Sequence, residues 1–333
     1  MEMRPLGKNG PLVSQVGLGC MGMSDIYGPA DETESIATIH AAMEAGITLL
    51  DTGDFYGMGH NELVLREALK GGKREKAFIQ VKYGAQRSPD GAFIGFDASP
   101  AATKTALAYT LKRLGTDYID LYQPARLDPK VPIEETIGAV AELVKAGYVR
   151  HIGLSEVGAD TIRRAHKVHP IAQLQIEYAI VTRGIEAEIL PVTRELGISI
   201  TAYGILSRGL LGGFGKQPLE ASDWRSHSPR FQGENLQANL KLVDALEKLA
   251  KAKHVTAAQL AIAWVVAQGK DIIPLIGTKS RKRLAESLAA LEIKLTPQDL
   301  AAIEAAVPAD AVSGTRYDAR QMLMLDSERR SAS

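Results

Sequence analysis

The chain has 333 residues, with 39 basic and 39 acidic side chains, so its formal net charge is zero. A net charge of zero argues against a nucleic-acid-binding protein, which needs a basic face to displace counterions, and the single cysteine excludes an intrachain disulfide framework. No stretch approaches the roughly 20 apolar residues of a membrane span, and the first residues, MEMRPLGKNG, contain no apolar signal core. We therefore expect a cytoplasmic protein that binds neither nucleic acid nor membrane, and its oligomeric state stays open.

Short runs rich in Val, Ile and Leu alternate along the chain with longer amphipathic stretches. Such apolar runs are typical of buried strands in a parallel sheet, and the amphipathic stretches are typical of helices that cover it. Eight strands are predicted, at 16–19, 48–51, 77–82, 118–123, 149–154, 173–176, 199–203 and 272–276. The predicted helices cover 31–45, 61–69, 100–114, 134–146, 159–168, 185–196, 235–252, 256–267, 281–290 and 297–306.

This strand–helix alternation indicates an α/β protein, and eight repeats favour closure of the sheet into a (β/α)8 TIM barrel. No linker rich in Pro, Gly or Ser interrupts the pattern, so residues 1–333 are interpreted as one domain. Residues 1–15 are expected to form an N-terminal hairpin at the bottom of the barrel. Extra helices are expected after the eighth strand, followed by a frayed, charged tail at 326–333.

A glycine motif after the first strand matches the dinucleotide-binding fingerprint but not its context. Residues 17–22 read G-L-G-C-M-G, and the fingerprint requires a helix to begin at its third glycine. Here the sequence continues Met-Ser-Asp-Ile-Tyr-Gly-Pro, which breaks a helix, so a Rossmann domain is not predicted. We expect a tight turn instead, in which the backbone of Gly19, Cys20 and Met21 approaches a ligand closely.

An acid and a lysine follow one another at the ends of neighbouring predicted strands. Asp51 ends the second strand, Tyr56 lies five residues later in a loop with glycines, and Lys82 ends the third strand. A cation near a phenol favours the phenolate, so Lys82 is expected to lower the pKa of Tyr56 and to suit it for general acid catalysis. The alternative is a structural Asp–Lys pair that bridges two strands, with Tyr56 as loop packing.

Five segments in chain order carry a more specific signal: DTGDFYG at 51–57, VKYG at 81–84, GLSE at 153–156, AYGILSRGLLGG at 202–213 and IPLIGTKSRKRLAES at 273–287. This series resembles the aldo-keto reductases, which are (β/α)8 NAD(P)H-dependent oxidoreductases. The resemblance runs from about residue 5 to 307 and is greatest to the pyridoxal-reductase-like branch of microbes and plants.

The resemblance implies that Tyr56 is the proton donor, that Lys82 tunes it and that Asp51 pairs with Lys82. The family's fourth catalytic residue, a histidine after the fourth strand, is replaced here by Ala125. Arg126, a water molecule or His60 are candidates to replace the missing hydrogen-bond donor.

The resemblance also implies an NADPH site. At its nicotinamide end, Ser155, Glu156 and Gln175 are expected to bind the carboxamide, and Tyr203 to stack on the ring. The segment Leu206, Ser207, Arg208 and Gly209 is expected to hold the pyrophosphate. At its adenosine end, the implied residues are Gly277, Thr278, Lys279, Arg283, Glu286 and Ser287. The cations Lys279 and Arg283 favour NADPH over NADH. The plainer alternatives are a solvated loop at Glu156, a core tyrosine at Tyr203 and a solvated basic helix start at 279–283.

The sequence thus predicts an NADPH-dependent reductase of aldehydes or ketones, with a proton donated by Tyr56. A cofactor-binding sensor or regulatory subunit with little catalysis is the alternative, because Ala125 removes one catalytic group. A metal-dependent hydrolase is disfavoured, since the histidines fall mostly in helices and loops rather than at strand ends. No metal site is predicted.

Overall fold

The computed structural model describes residues 1–24, 27–216 and 223–329. The strands in chain order are β1 Met3–Pro5, β2 Leu12–Ser14, β3 Gly17–Gly19, β4 Leu49–Gly53, β5 Phe78–Tyr83, β6 Ala85–Arg87, β7 Phe93–Phe96, β8 Ile119–Pro124, β9 Val149–Ser155, β10 Ile171–Glu177, β11 Ser199–Tyr203 and β12 Ile272–Gly277. Eight of them form a closed parallel barrel in the order β3, β4, β5, β8, β9, β10, β11, β12. The predicted (β/α)8 barrel is confirmed.

Helices follow the barrel strands and pack around them. Their bounds are α1 Glu32–Glu44, α2 His60–Ala68, α3 Pro100–Leu114, α4 Ile133–Lys145, α5 Ala159–Val168, α6 Ile189–Leu196, α7 Gly233–Ala252, α8 Ala257–Ala267, α9 Arg281–Leu288, α10 Pro297–Ala306 and α11 Ala319–Met322. Their ends have local causes: the Ser99 side chain accepts from the backbone N–H of Ala102 to cap α3, and Thr296 and Asp299 form a capping box on α10.

The N-terminal hairpin closes the bottom of the barrel, as predicted. Strands β1 and β2 are antiparallel, and Leu6 and Val13, both fully buried, pack against Leu49, Leu121 and Ile273 from the barrel. A second, larger apolar cluster fills the space between the strands and the surrounding helices. The apolar strand runs are therefore buried on both faces, which explains why they read as continuous rather than alternating.

Several predicted boundaries were wrong. The helix predicted at 185–196 begins only at Ile189, because a 3-10 turn occupies Gly184–Glu186. The loop after β5 contains an unpredicted hairpin, formed by β6 and β7.

The tail is not frayed at its start. The Asp326 carboxylate accepts from the Gly158 N–H at 2.9 Å, and the Ser327 hydroxyl donates to Glu156 at 2.6 Å. These bonds anchor the segment because each ties it to the loop after β9. Residues 330–333 of the predicted tail lie outside the described residues.

No helix in the described part of the chain is long and apolar enough to cross a bilayer.

Candidate active site

Asp51 and Lys82 meet at the mouth of the barrel, on the neighbouring strands β4 and β5. Lys82 Nζ donates to Asp51 Oδ1 at 2.5 Å, and both side chains are 5% exposed. Gln80 Nε2 at 2.8 Å and Gln175 Nε2 at 3.0 Å donate to the same carboxylate oxygen. Three donors on one oxygen fix the carboxylate, and with it the position of the Lys82 ammonium.

A chain of buried side-chain hydrogen bonds crosses the barrel interior to Asp51. Thr201 Oγ1 donates to Gln173 Oε1 at 2.6 Å, and Gln173 Nε2 donates to Gln123 Oε1. Gln123 Nε2 then donates to Gln175 Oε1 at 2.6 Å, and Gln175 donates to Asp51. All five side chains are buried, so each polar group needs the partner that the chain supplies. Gln175, predicted to bind a carboxamide, is therefore also a structural link.

Tyr56 lies in the loop after β4 and is folded back towards Lys82. The residues that follow it, Gly57, Met58 and Gly59, have φ values of 56°, 52° and 95°, which make a tight left-handed turn. Lys82 Nζ is 5.0 Å from the centroid of the Tyr56 ring. Within the described residues no hydrogen bond reaches the Tyr56 hydroxyl, so this group is available to a ligand.

The pKa of Tyr56 departs from the sequence prediction. Burial raises the pKa of Tyr56 well above its usual value, the Asp51 charge acts in the same direction, and the Arg126 charge opposes both. Burial also lowers the pKa of Lys82, against the effect of Asp51. The predicted lowering of the tyrosine pKa is therefore wrong for this arrangement, because desolvation of the phenolate outweighs the nearby cations. Tyr56 holds its proton at neutral pH.

The position of the missing histidine is filled by a small side chain followed by an arginine. Ala125 is 2% exposed directly after β8. Arg126 is half-buried, and its Nη1 donates to the Ala125 carbonyl at 2.6 Å and to Ser155 Oγ at 3.5 Å. The other candidate, His60, is bound elsewhere: its ring lies 3.0 Å from Ser24 Oγ and 3.4 Å from Glu32.

Glu156 is fully buried and has φ 54°, an uncommon conformation for a residue other than glycine. Its Oε1 accepts from the Glu177 N–H at 3.0 Å, the Tyr203 hydroxyl at 2.7 Å and Arg316 Nη1 at 2.7 Å. Its Oε2 accepts from Arg316 Nη2 at 2.5 Å and Ser327 Oγ at 2.6 Å. A carboxylate offers about four lone-pair sites, so these five donors leave none for a carboxamide. The acceptor role predicted for Glu156 does not fit this arrangement.

The buried ion pairs continue from Glu156 to a second carboxylate. Glu177, at the end of β10, lies 3.2 Å from Arg208 Nη2, 3.4 Å from Arg230 Nη1 and 3.6 Å from Arg316 Nη1. Arg208 was expected from the sequence to hold a pyrophosphate, whereas here it pairs with Glu177. The signal for the acids is chemical: Glu177 ends one strand and Glu156 directly follows its neighbour, and buried acids require cations.

Tyr203 ends β11 and is held by its hydroxyl. That hydroxyl donates to Glu156 and lies 2.9 Å from the Tyr317 hydroxyl. The Arg208 guanidinium covers the Tyr317 ring at 4.3 Å from its centroid. Residues 316 and 317 of the C-terminal segment therefore join the residues at the barrel mouth.

The turn after the first barrel strand lies beside Asp51. Gly19 pairs with Asp51 on one side and with Gly277 on the other. The Cys20 N–H donates to the Asp51 carbonyl at 3.0 Å, and burial raises the pKa of the Cys20 thiol. Met21 begins a 3-10 turn, Met21–Met23, and no α-helix begins at the third glycine of the motif, in agreement with the sequence analysis.

The segment after β11 has an unusual backbone. Ser207, Arg208 and Gly209 have φ values of 47°, 57° and 96°. Leu206 precedes them, and the Ser207 hydroxyl accepts from Arg230 Nη1 at 3.3 Å. Left-handed residues other than glycine cost free energy and concentrate at ligand sites, so this segment is suited to close approach of a ligand.

Lys279 is bound by the loop that follows β3. Its Nζ donates to the carbonyls of residues 27, 28 and 29, at 3.2, 2.9 and 2.5 Å. Gly277 is exposed at the end of β12, and the Thr278 hydroxyl donates to the Ser280 carbonyl at 3.2 Å. The lysine side chain therefore ties the loop at 27–29 to the end of the barrel.

The remaining predicted residues lie on α9. The Arg283 side chain is 70% exposed and pairs with Glu286 at 2.7 Å. Ser287 is half-buried next to Glu286. Arg283 lies in the first turn of α9, and Glu286 and Ser287 lie towards its end.

The chain resembles known proteins over most of its length. A family model described as "Aldo/keto reductase family" matches residues 15–308. A protein of soybean, Glycine max, described as "Probable aldo-keto reductase 1", is 46% identical over 317 residues, which cover 94% of this chain and 90% of the relative.

Solved structures resemble the whole chain. The glycerol dehydrogenase AKR11B4 of Gluconobacter oxydans has a TM-score of 0.83 at 27% identity and covers 99% of this chain and 98% of its own. The aldo-keto reductase AKR11C1 of Bacillus halodurans, in its holo form, has a TM-score of 0.77 at 29% identity, with 93% and 97% covered. The thermostable aldo-keto reductase Tm1743, in complex with the inhibitor epalrestat, has a TM-score of 0.72 at 27% identity, with 92% and 100% covered.

Proposed function

Since this chain belongs to the aldo/keto reductase family, whose model matches residues 15–308, we propose that it reduces small aldehydes or ketones with NADPH. The family makes it an oxidoreductase of carbonyl and CH–OH groups that uses a nicotinamide cofactor. We also propose that Asp51, Tyr56 and Lys82 are the catalytic residues and that NADPH is preferred to NADH. In this proposal residues 1–333 form a single domain and the protein is cytoplasmic.

The residues at the mouth fit a dinucleotide cofactor, with one exception. Tyr203 supplies an aromatic ring at the end of β11, the left-handed residues 207–209 suit a pyrophosphate, and the exposed Arg283 guanidinium suits a phosphate. Glu156 is the exception because its acceptors are filled. When bound, NADPH supplies the hydride for the carbonyl carbon.

The protein's own part in the reaction is carried by one observation: the Tyr56 hydroxyl has no hydrogen bond within the described residues, and the Tyr56 ring lies against Nζ of Lys82, which pairs with the buried Asp51. A buried phenol that keeps its proton at neutral pH can donate it to the carbonyl oxygen as negative charge develops there. Lys82 then stabilises the phenolate, and Asp51 holds Lys82 in position. Metal ions are not needed for these steps.

The test compares two tyrosine variants. Tyr56→Phe is expected to lower aldehyde-dependent NADPH oxidation by about 100-fold or more, the usual contribution of a general acid, while NADPH binding persists. Tyr109→Phe, at a tyrosine that is 61% exposed on α3, is the matched control and keeps full activity. Unchanged turnover in a Tyr56→Phe protein that binds NADPH would refute the assignment of the proton donor.

A second function is favoured by Ala125, which leaves the site without the family's histidine. In this alternative the chain binds NADPH as a sensor or regulatory subunit and turns over little substrate. NADPH binding followed by fluorescence, with and without a panel of aldehydes, separates the two: binding without oxidation favours the sensor, whereas saturable oxidation favours the reductase.

A further inference from the structure

Arg126 lies at the carboxyl end of the barrel strands, beside the strand that carries Lys82. It follows β8 by two residues, and β8 neighbours both β5, which carries Lys82, and β9, which ends at Ser155. The Arg126 Nη1 reaches Ser155 Oγ at 3.5 Å across this edge. The Arg126 charge also acts on Tyr56 and on Lys82, in the direction that lowers the pKa of each.

The guanidinium has donors to spare. Its Nη1 is used by the Ala125 carbonyl and more weakly by Ser155 Oγ. No carboxylate in the described ranges 1–24, 27–216 and 223–329 lies within 4.0 Å of Arg126. Its neighbours in the mouth differ in this respect: Arg208, Arg230 and Arg316 all pair with buried acids. Desolvation acts against the Arg126 charge, but Tyr203, Tyr317 and Glu156 outweigh it and raise the pKa of Arg126, so the guanidinium stays charged without a direct carboxylate partner.

We propose that Arg126 binds an anionic group of the substrate, so that the preferred substrates are aldehydes or ketones that also carry a carboxylate or another acidic group. The inference rests on the proposed carbonyl reduction and names its substrate class. A guanidinium offers five N–H donors in a planar fork that matches the two oxygens of a carboxylate. In this position it orients the substrate with its carbonyl towards Tyr56, next to the small Ala125.

An alternative role for Arg126 is to polarise the reacting carbonyl itself. A matched pair of substrates distinguishes this role from the binding of an anionic group. 4-Carboxybenzaldehyde and its methyl ester, methyl 4-formylbenzoate, have the same reacting group and differ in charge. If Arg126 binds an anion, the acid has a kcat/KM about tenfold or more above that of the ester, as expected for a charge-assisted hydrogen bond. Arg126→Met is expected to lower kcat/KM for the acid about tenfold more than for the ester, so that the preference is lost. Arg126→Lys keeps part of it, because the charge remains but the fork is lost.

Arg163→Met is the control, since Arg163 is exposed on α5 and pairs with Glu195 far from Tyr56 in the chain. The ratio of kcat/KM for the acid to kcat/KM for the ester should be the same in Arg163→Met as in the unmodified protein. Equal kcat/KM for acid and ester, or an equal loss for both in Arg126→Met, overturns the inference and leaves the reductase function intact.

Binding provides a readout that does not depend on turnover. Benzoate is expected to bind the NADP+-loaded protein about tenfold more tightly than benzamide, and Arg126→Met should abolish the difference. If neither aldehyde is reduced but this difference is found, the proposed function fails and the anion site stands. If benzoate and benzamide bind alike, the inference fails whatever the turnover.

Discussion

Arg316 holds Glu156 in a bidentate ion pair across 160 residues of sequence, with Nη1 2.7 Å from Oε1 and Nη2 2.5 Å from Oε2. The same carboxylate accepts from the hydroxyl of Tyr203, the ring predicted to stack on nicotinamide. The pair therefore connects the C-terminal segment to the nicotinamide end of the proposed cofactor site. The ion pair also stabilises the buried Glu156 carboxylate, and it leaves that carboxylate no lone pair for a carboxamide.

We predict that Arg316→Met weakens NADPH binding about tenfold, because Glu156 and Tyr203 lose the hydrogen bonds that orient them. Adenosine 2′,5′-bisphosphate, which lacks the nicotinamide half, should bind the variant as it binds the unmodified protein. Both dissociation constants are measured by fluorescence or calorimetry. Arg320→Met, at an exposed arginine in the same segment, is the control. An equal loss for both nucleotides would show that Arg316 has only a general structural role.

The Lys82–Asp51 pair gives a prediction on stability as well as on activity. Asp51→Asn leaves the Lys82 ammonium buried without its anion, and removing one partner of a buried pair costs about 3 kcal/mol of unfolding free energy. The double variant Asp51→Asn/Lys82→Met is expected to recover most of this loss, while both variants lose catalysis.

Denaturant unfolding measures the stability of both variants. Glu34→Gln, which breaks an exposed pair with Arg281, provides the comparison and should change stability far less, because solvent screens that pair. A double variant no more stable than Asp51→Asn would mean that the loss does not come from an unpaired Lys82.

Most of the barrel could be predicted from the sequence because its strands are buried on both faces. The run at 199–203 was predicted with the bounds that β11 has, and 149–154 was one residue short of β9. The helix at 100–114 was also predicted with its observed bounds, because Ser99 and Gly115 mark its two ends chemically. Capping residues of this kind act on the adjacent backbone, so the helix ends that they predict do not depend on the rest of the fold.

The site was predictable only where strand order brings residues together. Asp51 and Lys82 end consecutive strands, so their meeting follows from the barrel alone. Arg316 lies in an aperiodic polar segment, and its pairing with Glu156 depends on a tertiary path that no local pattern encodes. The pKa of Tyr56 was mispredicted for a related reason: the residue types show the nearby cation, whereas the desolvation that outweighs it appears only in the fold.

Cofactor preference should depend on Arg283, the exposed cation at the start of α9. Arg283→Met is expected to raise the dissociation constant of NADPH about tenfold and to leave that of NADH nearly unchanged, because only NADPH has a 2′-phosphate to bind. Lys282→Met, one residue away and also exposed, is the matched control. Titration of both nucleotides against both variants measures the effect. Equal changes for NADPH and NADH would place the phosphate site elsewhere.

Asp54, two residues before Tyr56, makes stability depend on pH. Burial and the neighbouring Glu62 raise the pKa of Asp54 to about 7, and its Oδ1 has no hydrogen-bond partner among the described residues. The unfolded chain releases this proton near pH 4 and the folded protein near pH 7. Between these values the folded protein binds more protons, so the contribution of Asp54 lowers the unfolding free energy as the pH rises from about 4 to 7.

Asp54→Asn keeps an oxygen acceptor at this position and removes the ionisation. The variant is therefore expected to be more stable than the unmodified protein by roughly 1–2 kcal/mol at pH 8. The difference between the two proteins should shrink at pH 5, where Asp54 is protonated in the folded state. Urea unfolding at both pH values measures it, and Asp310→Asn, at an exposed aspartate, controls for the loss of one charge. A stability difference that is the same at pH 5 and pH 8 would show that Asp54 does not titrate in this range.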